Sequence, residues 1–203
     1  MWSELRADAR VYAALRWPGG ATWRSALPWI SSRGLLVLAV QRVGHHYLLR
    51  REQDGWTART LGLRLLMAIA PRLLALFAKS DVASRAVFEP GVYVSDHGYL
   101  ILGPERVGSG TLIHERVTLG VTAGGTVGPS IGRNVWIGPD SIIYGQITLG
   151  DGVTVLPGSV VSTSISAGKV VGGNPATIVR TNFDNSALRR SLDPNIDPRL
   201  VKS

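Results

Sequence analysis

The chain has 203 residues, enough for one large or two small domains, and its 45% hydrophobic and 18% charged content is that of a folded globular protein. It contains no cysteine, which removes disulfides, thiolate metal sites and acyl-cysteine intermediates, so any chemistry uses oxygen or nitrogen groups. The net charge of +8 is uneven: the first 80 residues hold twelve Lys/Arg against four Asp/Glu, the remainder ten against ten. A basic segment of that kind points to an anionic surface such as lipid or, more ordinarily, to the solvated face of an assembly domain.

At the N-terminus Glu4, Arg6, Asp8 and Arg10 interrupt the place where an apolar signal-peptide run would lie. The cytoplasm is therefore the default expectation, with peripheral contact to the inner face of the membrane left open for the basic helices. Periodicity predicts helices over Trp2–Leu15, with Ser3 as N-cap and Pro18-Gly19-Gly20 as stop, over Ser32–Arg51, and over Thr60–Lys79 with a kink at Pro71. The most apolar stretch, Leu61 to Phe77, is broken by Arg64, Pro71 and Arg72 and falls short of the roughly 20 clean residues that span a bilayer. Such a helix is either packed on several sides or laid on a membrane surface, and packing is the commoner answer.

Glycine marks a boundary: six of the 24 precede residue 81 and eighteen lie between Gly91 and Gly173. From Ile101 the pattern has period six, running Ile101, Val107, Ile113, Leu119, Gly125, Ile131, Ile137, Ile143, Leu149, Val155, Val161, Ala167, with eleven of the twelve aliphatic. A helix repeats every 3.6 residues and a strand every two, so a strict six indicates a solenoid whose units bury their faces by stacking. Six residues make one side of a triangular coil and eighteen a full turn, giving four coils from Ile101 to about Gly172 and a less regular one before them. The expected divisions are a helical region 1–80, a β-helix 81–180 and a tail 181–203 with a short helix over Ser186–Leu192.

The repeat resembles that of the hexapeptide-repeat acyltransferases, which form a left-handed parallel β-helix. Three stretches resemble the serine acetyltransferase branch: Asp96-His97-Gly98, Val117-Thr118-Leu119-Gly120, and Gly172-Gly173-Asn174-Pro175-Ala176-Thr177-Ile178-Val179. The resemblance implies an acetyl-CoA-dependent O-acetyltransferase with no metal. It also implies a homotrimer whose active sites lie between neighbouring β-helices, with pairing of two trimers left open, and a small hydroxylated acceptor.

Acetyl transfer to a hydroxyl needs a base, donors for the thioester oxyanion, and alignment of two substrates. His97 is the expected base. Asp81 resembles the carboxylate that orients it, and Asp96 a residue that contacts the acceptor. His114, near a coil corner, is a candidate neighbour of the acceptor. The absence of cysteine and of a G-x-S-x-G elbow favours direct transfer over an acyl-enzyme. Gly120, Val121, Gly138, Pro139, Pro157 and Gly173 match the family's cofactor-lining positions, while Lys169 and Arg180 are candidates for the CoA phosphates. Pro139 and Pro157 fit only where no hydrogen bond from their nitrogen is needed.

Between Gly120 and Ile131 this chain reads VTAGGTVGPS, without the Arg-His pair that holds the amino-acid carboxylate in the L-serine enzymes. That argues against free L-serine unless Arg106 or Arg116 takes over, and the unbroken hexad register suggests a plain coil side here. Sugar or natural-product O-acetylation is the alternative. A zinc enzyme of the γ-carbonic anhydrase kind needs three imidazoles, and the repeat region has only His97 and His114. A non-catalytic membrane-associated module is the remaining reading, and no nucleic-acid motif is present.

Overall fold

The computed structural model describes residues 2–16, 32–54, 57–77 and 80–190. Three helices, α1 (Trp2–Arg16), α2 (Arg33–Asp54) and α3 (Ala58–Phe77), precede fifteen short strands. The expected stop at Pro18-Gly19-Gly20 lies outside the described residues. α1 begins one residue before Ser3, so Ser3 is not its cap, and α3 continues through Pro71. Ser32 caps α2, its hydroxyl accepting the Leu35 N–H at 3.2 Å. Thr57 and Thr60 cap α3 reciprocally, each side chain accepting the other's backbone N–H, at 3.2 and 2.8 Å.

The strands form a parallel solenoid of about five turns with three walls. The first wall is β1 (Ser80–Val82), β4 (Leu100–Leu102), β7 (Thr118–Gly120), β10 (Ile142–Tyr144) and β13 (Val160–Val161). The second is β2 (Val87–Phe88), β5 (Arg106–Val107), β8 (Ser130–Ile131) and β11 (Thr148–Leu149). The third is β3 (Tyr93–Val94), β6 (Leu112–Ile113), β9 (Trp136–Ile137), β12 (Thr154–Val155) and β14 (Val170–Gly173), closed by antiparallel β15 (Ala176–Arg180). Aliphatic side chains stack up the axis, such as Leu102, Leu119, Ile143 and Val161 on the first wall, all buried. Each contributes about 1.5–3 kcal/mol over an exposed position.

The period-six reading slips at three places. On β4 the inward residue is Leu102, while Ile101 faces outward and is 36% exposed. Near the end Ile165 is the buried residue that bridges to Leu149, and Ala167 is exposed. The third slip is hidden by its own length. Leu119 and Ile143 are paired neighbours on the first wall yet stand twenty-four residues apart, whereas Ile143 and Val161 stand eighteen apart. The six extra residues form an exposed loop over Val121–Thr126, tightened by a Gly125 N–H to Thr122 C=O bond of 2.8 Å. Because the insertion is one repeat long, the hexad phase survives it, and Gly125 is a loop residue and no part of a coil side.

The third wall is buried on both faces: outward-facing Tyr93, Leu112, Trp136, Thr154 and Val170 are as inaccessible as the inward row. Residues 181–190 belong to this packing. Phe183 and Leu188 join the core cluster, and the buried Asn185 amide donates to the Asn134 and Gly152 carbonyls at 2.9 and 3.2 Å. Only a 3-10 turn, Leu188–Arg190, stands where a helix was expected; residues 191 and 192 lie outside the described chain.

At the other end the helices cover the open edge of the first coil. Buried Asp8 accepts two bonds from Arg42 (2.8 and 3.1 Å) and one from the Gly91 N–H (2.7 Å), while Arg42 also donates to the Phe88 and Glu89 carbonyls. Tyr12 donates to the Val94 carbonyl at 2.5 Å and accepts its N–H at 3.0 Å, and Gln41 donates to the Ala86 carbonyl. Burial pushes the Tyr12 phenol well above its ordinary pKa, so it stays protonated. Gly34 lets α2 press on β3, since a Cβ there would meet the Val94 oxygen at 1.9 Å. Asp8→Ala, which strands the buried Arg42 charge, is expected to lower unfolding free energy by about 3–5 kcal/mol in urea titrations. Tyr12→Phe should cost about 1–3 kcal/mol.

Candidate functional site

The edge where the third wall turns into the first carries most of the residues singled out from the sequence. One residue per coil takes the left-handed conformation there: Gly98 (φ 79°), Arg116 (56°), Asp140 (61°) and Gly158 (68°). The residues just before them, His97, Glu115, Pro139 and Pro157, form a second ladder along the same edge, and one step earlier in the chain stand His114, Gly138 and Leu156. Ladder bonds run from Gly138 N–H to Val155 C=O and from Asp140 N–H to Glu115 C=O, skipping residue 139. Leu156 and Gly158 likewise donate while residue 157 does not. The two prolines therefore occupy positions whose nitrogen has no ladder partner, the condition their presence required.

His97 stands at the head of this edge. Its corner is longer than those below: β3 to the inward Leu102 takes eight residues from Val94, while Ile113 to Leu119, Ile137 to Ile143 and Val155 to Val161 take six each. The extra length leaves His97 exposed, with its backbone N–H held by the Ser95 hydroxyl at 3.2 Å. Gly98 is required next to it, because a Cβ would lie 2.9 Å from that of Glu115 on the coil below.

The two neighbouring acids have different settings. One Asp96 oxygen accepts the Ser32 hydroxyl at 2.5 Å and the Gly34 N–H at 2.9 Å, so this carboxylate anchors the N-terminus of α2 to the corner. Asp81 is exposed on the outer face of the first wall, in register with Ile101, and no hydrogen bond joins it to His97 among the described residues. Glu115, which no motif marked, accepts the Ser95 hydroxyl at 3.4 Å and lies 4.0 Å from His114 Nδ1. Its signal in the sequence was positional: it stands two residues after a repeat lead, against Gly98 of the coil that bears His97.

His114 is buried, its ring 4.8 Å from that of Trp136, and its Nε2 has no hydrogen-bond partner among the described residues. Burial lowers its pKa, against an opposing pull from Glu115. Both substitute cations are already paired. Arg116 makes a two-pronged contact with Asp140, at 2.5 and 2.7 Å, and Arg106 pairs with Glu89. Glu89 also accepts from Arg133 and from the Ser109 N–H, and Arg133 first, then Arg106, hold its carboxyl at about 2.

Of the cofactor-lining candidates, Gly138 and Pro139 are buried in the edge, and Pro157 and Gly173 are exposed on it. Gly120 and the exposed Val121 lie at the opposite border of the first wall, where the inserted loop begins. Lys169, near Ser166, is on the corner leading into the third wall, and Arg180 lies over the Phe183 ring on β15. Between the two borders the first wall shows an apolar outer stripe, with Ile101 and Ile142 exposed. Among the described residues no group of three or more His, Asp or Glu side chains is placed to hold a metal ion.

Residues 128–163 match the family model of the bacterial transferase hexapeptide, six repeats. The chain is 31% identical over 153 residues to a serine acetyltransferase of Synechocystis sp., covering 73% of this chain and 55% of that one. These matches make the chain similar to the hexapeptide-repeat acyltransferases, and among them to serine acetyltransferases. Over 71 residues, 35% of this chain and 32% of the relative, it is 39% identical to a chloramphenicol acetyltransferase of Agrobacterium fabrum. It thus spans about half or less of these curated relatives. The solved Neisseria gonorrhoeae serine acetyltransferase in complex with serine superposes with a TM-score of 0.70 at 25% identity, covering 88% of this chain and 68% of that one.

Lowered His114 basicity has a testable sign. Its folded-state pKa lies below the ordinary histidine value, so protonation favours the unfolded chain. Stability should fall as pH drops below about 6.5. His114→Phe, measured by thermal unfolding across pH 7 to about 5, should flatten that decline and cost under about 1.5 kcal/mol at neutral pH, since no side-chain bond is lost.

Proposed function

We propose that this chain transfers an acetyl group from acetyl-CoA to a hydroxyl of a small, carboxylate-free acceptor, with His97 as general base. The observation that carries this is His97 itself, exposed on a lengthened corner at the head of the edge that continues to Pro157 and Gly173. His97 takes the acceptor's hydroxyl proton as the oxygen attacks the thioester carbonyl. The tetrahedral oxyanion then collapses, the carbon–sulfur bond breaks, and the imidazolium returns the proton to the departing CoA thiolate. Asp81 is the proposed partner that holds the imidazole in one tautomer, by the logic of the hydrolase triad.

Acetyl-CoA as donor is supported by the acetyltransferase names of both curated relatives and by a serine acetyltransferase of this fold solved in complex with CoA. Pro157 and Gly173 on the edge, with Gly120 and Val121 at the opposite border of the first wall, are the proposed cofactor contacts, with Lys169 and Arg180 toward the phosphates. A homotrimer follows in this reading, with the apolar stripe of Ile101 and Ile142 at the seam and each site shared between neighbours. His114 and Asp96 then border the acceptor indirectly, by setting the corner.

A neutral acceptor such as a sugar hydroxyl is favoured because Arg106 and Arg116 are both paired with carboxylates and the inserted loop carries no cation. Desolvating a substrate carboxylate without a charge-assisted donor is unfavourable. L-serine is the second reading, on the strength of the relatives' names. Thiol release from acetyl-CoA, compared for L-serine and a panel of sugars, separates the two. His97→Ala should lower kcat by about 10²–10⁴-fold at unchanged assembly mass and thermal midpoint. Normal turnover in that variant would remove the base assignment.

A further inference from the structure

The solvent-facing side of α3 is strongly apolar. Leu65 is 69% exposed, Leu61 58%, Ile69 52% and Leu66 50%, whereas Thr60 is buried and Leu63 and Ala70 half-buried. On a wheel of 3.6 residues per turn, Arg64, Leu61, Arg72, Leu65, Ile69 and Leu66 follow one another around a single exposed arc of about 200°. Among the described residues α3 packs against α2 and β1, on the side away from this arc. An apolar patch of this kind on an outer surface marks a docking site.

We infer that α3 docks the protein on an anionic lipid bilayer, lying in the interface with Leu61, Leu65, Leu66 and Ile69 among the acyl chains. Charge decides for lipid. From Ala58 to Phe77 the helix has three arginines, Arg59, Arg64 and Arg72, and no carboxylate. Two copies laid face to face would add the positive charge of one helix to that of the other, whereas phosphate headgroups meet Arg64 at one end of the arc and Arg72 within it. The surplus of twelve basic over four acidic residues in the first 80 extends the same attraction beyond the helix. No described helix is long and apolar enough to cross a membrane, so the contact is one of lying on the surface. This inference stands on the exposed face alone and is independent of the acetyl-transfer reading.

The test is co-sedimentation of the full chain with vesicles of phosphatidylglycerol and phosphatidylcholine, against phosphatidylcholine alone. Binding is expected only to the anionic vesicles and should weaken sharply toward about 1 M salt. Leu65→Glu with Ile69→Glu should weaken it at least about tenfold. Arg64→Gln and Arg72→Gln should each weaken it about fivefold. Both apolar positions are exposed, so the fold is not at stake. The sequence has no cysteine, so a polarity-sensitive label on Leu65→Cys reports this one position and should shift to the blue on anionic vesicles. Failure of the chain to bind phosphatidylglycerol, equal binding to both vesicle types, or a label that stays in water overturns the inference. So does a Leu65→Glu, Ile69→Glu variant that binds vesicles normally but sediments as a smaller assembly, since a second copy would then occupy the face.

Discussion

A parallel solenoid has an open end, and the backbone groups of its first coil must find hydrogen bonds or remain a template for another chain. Here α1 and α2 meet that need. Asp8 accepts the Gly91 N–H, Arg42 donates to two carbonyls, Tyr12 both donates to and accepts from Val94, and Gln41 reaches Ala86. The ion pair of Asp8 and Arg42 is tolerable in the interior because every strong donor and acceptor is spent on that edge. The same cap reaches the corner that bears His97, since Asp96 holds the start of α2. Coil closure and the geometry of the catalytic candidate are therefore coupled through one set of bonds.

The three walls present different surfaces to their surroundings. The third is covered by the chain's own C-terminal segment, through Phe183, Asn185 and Leu188. The second displays Arg106, Arg133 and Glu89 in a compact charge network. The first is left apolar and bare around Ile101 and Ile142. The least polar of the three walls is thus the one beside the His97 edge.

Much of this was legible because stacking imposes the same requirement on every coil: an inward aliphatic repeated with the wall. The period, the number of turns and the position of His97 before the regular repeats followed from that. Ile101 was misread because Leu102 beside it is also aliphatic and a two-letter pattern cannot choose between adjacent apolar residues. The loop at 121–126 was invisible because its length equals the repeat. The burial of the tail was missed because Phe183 and Leu188 are too sparse to make a periodic signal. Asp96 resembled an acceptor contact by its neighbourhood, and only the packing of α2 against β3, forced by Gly34, reveals that its oxygen is taken by a helix terminus.

The loop of Val121–Thr126 removes one repeat's worth of chain from the coil and gives it back in phase. Coils above and below then meet as if nothing had been spliced in, with Leu119 and Ile143 paired across the insertion. The decoration and the column are mechanically separate parts. Sequence drift in the one is read at the protein's outer boundary and leaves the other's registry as it was.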